Sequence, residues 1–130
     1  MTARWVLVLI AALCAPVAEA AFHLFRIELL YSSADGTVQF VVLRESSGAD
    51  GENQWSGRTL RMTGPAGTST LTFPSNLPSA DTGFRRVLVA TPGFAALGLV
   101  TPDYIMQAGF LQVTSGTLNS TGEIKVTAKT

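Results

Sequence analysis

The chain has 130 residues, nine Lys or Arg against nine Asp or Glu, and therefore a formal net charge of zero. Its basic residues are scattered, with Arg85-Arg86 the only adjacent pair. That excludes the concentrated cationic face with which nucleic-acid binders displace counterions. A lone cysteine, Cys14, excludes a disulfide framework and a cysteine-based zinc site, while 47% hydrophobic residues suffice for one core in a chain of this length.

The amino-terminal segment predicts a secretory signal peptide. Arg4 forms a short basic region, Trp5 to Ala15 is uninterrupted apolar sequence, and Ala18-Glu19-Ala20 supplies the small-x-small pattern of a cleavage site. The apolar run falls short of the roughly 20 residues that span a bilayer. Leu13 also stands before Cys14 where lipoprotein processing expects a small residue. The expectation is a leader over residues 1–20 cleaved after Ala20, and one secreted or periplasmic domain over residues 21–130. Cleavage removes Cys14, Arg4 and Glu19 together, leaving a neutral body without a thiol.

The remainder reads as strands and turns. Phe25, Ile27, Leu29 and Tyr31 alternate with Leu24, Arg26, Glu28 and Leu30, the two-residue period of a strand with one apolar face. Asp35-Gly36 marks a tight turn, and Thr37 to Arg44 follows as a β-branched and aromatic run, apolar on both faces. The two should pair as an antiparallel hairpin. Ser46 to Gln54 is a polar, glycine-rich loop, and Trp55 closes it at the edge of the core. Arg58 to Thr63 and Ser69 to Phe73 flank a Gly64-Pro65-Ala66-Gly67 turn, and Pro74 and Pro78 end the pairing. Arg85 to Thr91 is a further strand. Phe94 to Leu97, with Pro92-Gly93 before it and Gly98 behind it, suits one helical turn. Tyr104 to Met106, Phe110 to Val113 and Ile124 to Ala128 read as short strands, with a turn at Asn119 to Gly122. Such spacing predicts an all-β, immunoglobulin-like antiparallel sandwich of about seven or eight short strands with at most one short helical turn.

The order of motifs resembles the lamin-tail-like domain, an immunoglobulin-like sandwich found in lamins and exported bacterial proteins. The resemblance rests on Arg26-Ile27-Glu28, Gln39-Phe40-Val41-Val42-Leu43, Trp55-Ser56-Gly57-Arg58-Thr59-Leu60, Leu71-Thr72-Phe73-Pro74 and Val87-Leu88-Val89-Ala90. It departs from the family pattern in the first strand, which lacks the usual asparagine, at Gln39, where an acidic residue is usual, and at Arg58, where a tryptophan is usual. The resemblance implies a non-catalytic interaction or structural module.

Candidate sites are sparse. His23 is the only histidine, and no Gly-x-Ser-x-Gly elbow frames a serine nucleophile. Glu28 and Glu45 fall on or beside neighbouring strands, where a carboxylate pair could serve glycoside hydrolysis; two solvated side chains are the plainer expectation. Asp50, Glu52 and Asn53 offer oxygens to a calcium ion but lack the alternating ladder of an EF-hand. Asn119-Ser120-Thr121 fits a glycosylation sequon. Phe94 to Leu97, with Leu99 and Val100, forms an apolar patch that either caps the open end of the sandwich or is a docking surface. Arg85-Arg86 is too small a cluster to mark an acidic-polymer site. No cofactor motif is present.

The function these readings favour is an exported, non-enzymatic structural or interaction module with an unidentified protein or cell-envelope partner. On that reading it meets the membrane only through its leader. A carbohydrate- or calcium-dependent surface binder, with Trp55 or Tyr104 on an exposed face, is the alternative. A small secreted hydrolase comes third.

Overall fold

The computed structural model describes residues 24–113 and the backbone of 115–120 and 124–129. The expected leader, its Ala20 cleavage point, Cys14 and His23 lie outside the described residues. In chain order the elements are β1 (Phe25–Ser32), β2 (Gln39–Glu45), β3 (Thr59–Gly64), β4 (Gly67–Thr72), β5 (Arg86–Ala90), α1 (Pro92–Ala95), β6 (Tyr104–Ile105), β7 (Ser115–Ser120) and β8 (Ile124–Lys129). The strands form two sheets, ordered β1-β2-β5-β6 and β4-β3-β7-β8. All sheet neighbours are antiparallel except β5 and β6, which are parallel.

Strand β2 lies inside its sheet, and its sequence shows why it can. Gln39, Val41, Leu43 and Glu45 are buried on the inner face, while Phe40, Val42 and Arg44 are half-buried on the outer one. The expected hairpin with β1 forms, but β1 does not keep a single alternation. A bulge between Ile27 and Leu29 makes Glu28 an extra residue. An extra residue reverses which side chains face the core. Phe25 and Ile27 therefore face inward, Leu30 packs on the core in turn, and Leu29 and Tyr31 emerge outside, 52% and 48% exposed. The expectation that all four odd-numbered residues share the apolar inner face is corrected by that slip.

Between the sheets lies one aromatic cluster. Trp55 meets Phe25 at 5.0 Å and Phe73 at 4.8 Å edge-on, and stacks on Tyr104 at 5.6 Å. Its indole Nε1 donates to the Glu52 carbonyl at 2.9 Å, which satisfies the polar edge of a fully buried ring. Trp55 is thus at the centre of the core, inward of the edge position expected for it. Val41, Leu43, Val87 and Val89 from one sheet and Leu60 and Met62 from the other complete the core.

Two further corrections concern the carboxyl-terminal third. Phe110 to Val113 is irregular although Phe110 and Leu111 are buried, and Asn119 and Ser120 belong to β7 where a turn was expected. The helical turn is present as α1, with Pro92 at its start and the Thr91 hydroxyl accepting the Phe94 N–H at 3.4 Å. No described helix is long and apolar enough to cross a membrane.

Candidate interaction surface

The register of the first sheet sorts its outer face into rows. Arg26 lies opposite Arg44, and Arg44 opposite Arg86, so three arginines follow one another across β1, β2 and β5. The next row is Leu29, Val42 and Leu88, and the next is Tyr31, Phe40, Ala90 and Ile105. Tyr31 stacks on Phe40 at 5.3 Å, and Phe94 of α1 packs on Phe40 at 5.1 Å. The expected apolar patch therefore divides. Phe94 is buried and closes one end of the face, whereas Leu97, Leu99 and Val100 stand 54%, 74% and 58% exposed. Because β5 and β6 run parallel, the segment carrying those three returns along the sheet, and it ends at Asp103. The Asp103 N–H donates to Leu88 O and its Oδ2 accepts Leu88 N–H, both at 2.9 Å.

Like charges side by side in a sheet repel, and the arginine row has one carboxylate to offset it. Glu28, displaced outward by the bulge, takes both ends of the Arg86 guanidinium, Nε to Oε2 at 2.7 Å and Nη2 to Oε1 at 3.0 Å. That fork lowers the Glu28 pKa and raises the Arg86 pKa. Arg44 is 4.0 Å from the same carboxylate, and its Nε is buried with no hydrogen-bond partner. Arg26 donates from Nε to the Ser46 hydroxyl at 3.2 Å and has no carboxylate partner among the described residues. Three cations around one anion leave a local excess of positive charge on a chain that is neutral as a whole.

Phe84 lies beside this row in a conformation its type rarely adopts. Its φ is +58°, it is 56% exposed, and the Arg44 guanidinium sits 5.7 Å from its ring. A left-handed backbone in a bulky residue must be held from outside. The holder is Glu45, which is fully buried. Its Oε1 accepts Ser47 N–H at 2.7 Å, and its Oε2 accepts those of Gly48, Ala49 and Phe84 at 2.7, 3.1 and 2.8 Å. Burial alone would raise the carboxyl pKa, but the four donors outweigh it and the pKa lies below the ordinary value. Gly48 lets the Phe84 ring lie close, since a Cβ there would stand 2.9 Å from it.

The carboxylates singled out in the sequence are thus parted. Glu28 is on the outer face with Arg86, and Glu45 is inside with its amides. In the calcium candidate, Asp50 Oδ1 accepts Gly83 N–H at 3.1 Å, and Glu52 is 2% exposed with Oε2 accepting Leu24 N–H at 3.4 Å. The Asn53 carbonyl accepts the N–H of Trp55 and of Leu77 at 3.0 Å. Among the described residues no group of three or more His, Cys, Asp or Glu is placed to hold a metal ion. Trp55 and Tyr104 are buried, so neither provides an exposed sugar-stacking platform. Arg85 pairs with Asp103 at 3.5 Å. Asn119 and Ser120 of the sequon lie in β7; Thr121 is outside the described residues.

Sequence reading missed Arg26, Arg44 and Phe84. The two arginines look like ordinary solvent-side positions, and only the cross-strand register makes them neighbours. The Thr82-Gly83-Phe84-Arg85 turn carries no marker of a left-handed phenylalanine. No protein-family model, curated protein or solved structure matches the chain.

Proposed function

We propose that the protein is a non-enzymatic interaction module, exported in the manner its leader predicts, that works through the outer face of the β1-β2-β5-β6 sheet. One observation carries this reading: the face leaves Leu29, Tyr31 and Ile105 about half exposed, with Leu97, Leu99 and Val100 beside it. A cluster of large exposed apolar side chains rimmed by charge is the usual mark of an interaction site. The acidic groups discussed above are engaged in holding loops and strands, which supports a binding rather than a hydrolytic role. An immunoglobulin-like, lamin-tail-like module is the family reading that agrees with two sheets around one aromatic core.

Site-directed photocross-linking in the exporting cell tests the proposal. Probes at Tyr31 and Ile105 should capture a neighbour, while probes at Thr63 and Thr70 on the opposite sheet should not. Equal capture from both sheets, or none from either, defeats it.

A further inference from the structure

We infer that the arginine row, Phe84 and the adjoining apolar rows form a docking surface for an anionic lipid bilayer, with lipid phosphates as the ligands of Arg26 and Arg44. This deepens the proposed function and rests on it, since it names the occupant of the same face.

Charge complementarity selects the occupant's sign. Arg26, Arg44 and Arg86 surround only Glu28, and Arg86 already takes that carboxylate in a two-point fork. Glu28, which Arg44 also approaches at 4.0 Å, cannot neutralise all three, so an excess of two positive charges remains for an outside anion. Arg26 is exposed, and the Arg44 side chain is 40% exposed beyond its buried Nε. The exposed nitrogens of these guanidinium groups suit a phosphate, because guanidinium forks fit phosphate geometry.

The shape of the surroundings selects a bilayer over an acidic protein segment. The apolar residues are spread over a broad sheet face and over the return segment, where Leu97, Leu99 and Val100 project with Leu99 74% exposed. Phe84 projects beside the arginines, and Tyr31 lies farther along the face. Cations that snorkel to phosphates beside aromatic and aliphatic side chains match the composition of interfacial anchors. Glu45 fixes the left-handed backbone that keeps this partly exposed ring beside Arg44, at a position where glycine would sit without strain.

Vesicle flotation of the purified chain tests the inference. One set of vesicles is phosphatidylcholine alone, and the other is phosphatidylcholine mixed with phosphatidylglycerol. All variants keep the same amino terminus, so any contribution from that segment cancels. The two excess positive charges, each worth about fivefold near an anionic surface, should give a preference of about 25-fold for the anionic vesicles. Raising the salt toward 1 M should erase it. Arg26→Gln and Arg44→Gln should each lower the preference about fivefold. Phe84→Gly should weaken vesicle binding while the fold melts no lower than for Phe84→Ala, a combination that a purely structural role for Phe84 does not produce. Equal binding to both vesicle types, or arginine variants with the wild-type preference, overturns the inference. Poly-glutamate bound in preference to vesicles overturns it in favour of an acidic polypeptide, and leaves the interaction-module reading standing if Tyr31 and Ile105 still cross-link. Loss of cross-linking as well brings down both.

Discussion

Gln39 pairs with Leu111 as a neighbouring strand would. Its side-chain Oε1 accepts the Leu111 N–H at 2.9 Å, and its Nε2 donates to the Leu111 carbonyl at 2.8 Å. One buried side chain thus completes the backbone of a buried residue that belongs to no strand, and ties the irregular 106–113 segment to the middle of the first sheet. The Nε2 group also donates to Ser32 Oγ at 2.9 Å, and the Gln39 N–H donates to Thr91 Oγ1 at 3.0 Å.

Replacing Gln39 by Leu should cost about 2–4 kcal/mol, because it strands a buried N–H and C=O together. Urea denaturation measures the loss. Hydrogen exchange should show the Leu111 amide opening well before those of β2. A change below about 0.5 kcal/mol contradicts the pairing.

Glu45 should dominate the acid limb of stability. Its folded pKa is depressed, so its contribution is complete above the unfolded carboxyl value near 4.5 and is lost as pH falls through the lower folded value. Urea midpoints of the wild type should be level from about pH 7 to 5 and drop below about pH 4. Glu45→Gln presents an amide to four N–H donors and should lose about 3 kcal/mol at neutral pH, with a shallower acid limb. A variant that follows the wild type at every pH refutes this role.

Phe84 separates backbone strain from side-chain packing. Phe84→Ala and Phe84→Gly both delete the ring, but only glycine is at ease at φ +58°. The glycine variant should be the more stable by about 1 kcal/mol, read from paired thermal melts. The reverse order would mean the left-handed turn is not kept in solution.

Gly93 admits no side chain. A Cβ there would lie 2.3 Å from Thr37 O, a backbone atom that cannot swing aside. Gly93→Ala should therefore cost about 2–3 kcal/mol and push α1 off Phe40. The check is a lowered denaturation midpoint. Protection of the Gln39 amide should fall too, since Thr91 Oγ1 bridges Thr37 O and Gln39 N.

The elements with strong alternation or turn chemistry were legible in the sequence: the β1–β2 hairpin, the Gly64–Gly67 turn, β5 and the proline-led α1. What escaped was set by contacts between distant residues. The bulge at Glu28 is hidden because Leu29 and Leu30 are both apolar, so either phase of β1 looks plausible. Strand β7 has one large apolar residue, Leu118, and its Ser, Gly, Thr and Asn content reads as a turn. Phe110 to Val113 has strand-like residues, but Gln39 supplies the pairing that a strand would have supplied. The loop after Glu45 looked like generic solvent-facing sequence, because its ligating groups are backbone amides and leave no trace in side-chain identity. For the same reason the arginine row is invisible until the register is known.

The extra residue in β1 has a consequence for life in a concentrated compartment. The strand forms one margin of its sheet, and a uniform margin would offer a long zipper to any passing extended chain. Here the hydrogen-bonding rhythm is broken near the middle, with a charged residue at the break. A visiting strand can register with one half or the other but not both, so stacking into fibrils stalls at its first step. The apolar outer side of the sheet thereby stays exposed without an uninterrupted rim along which copies could pair.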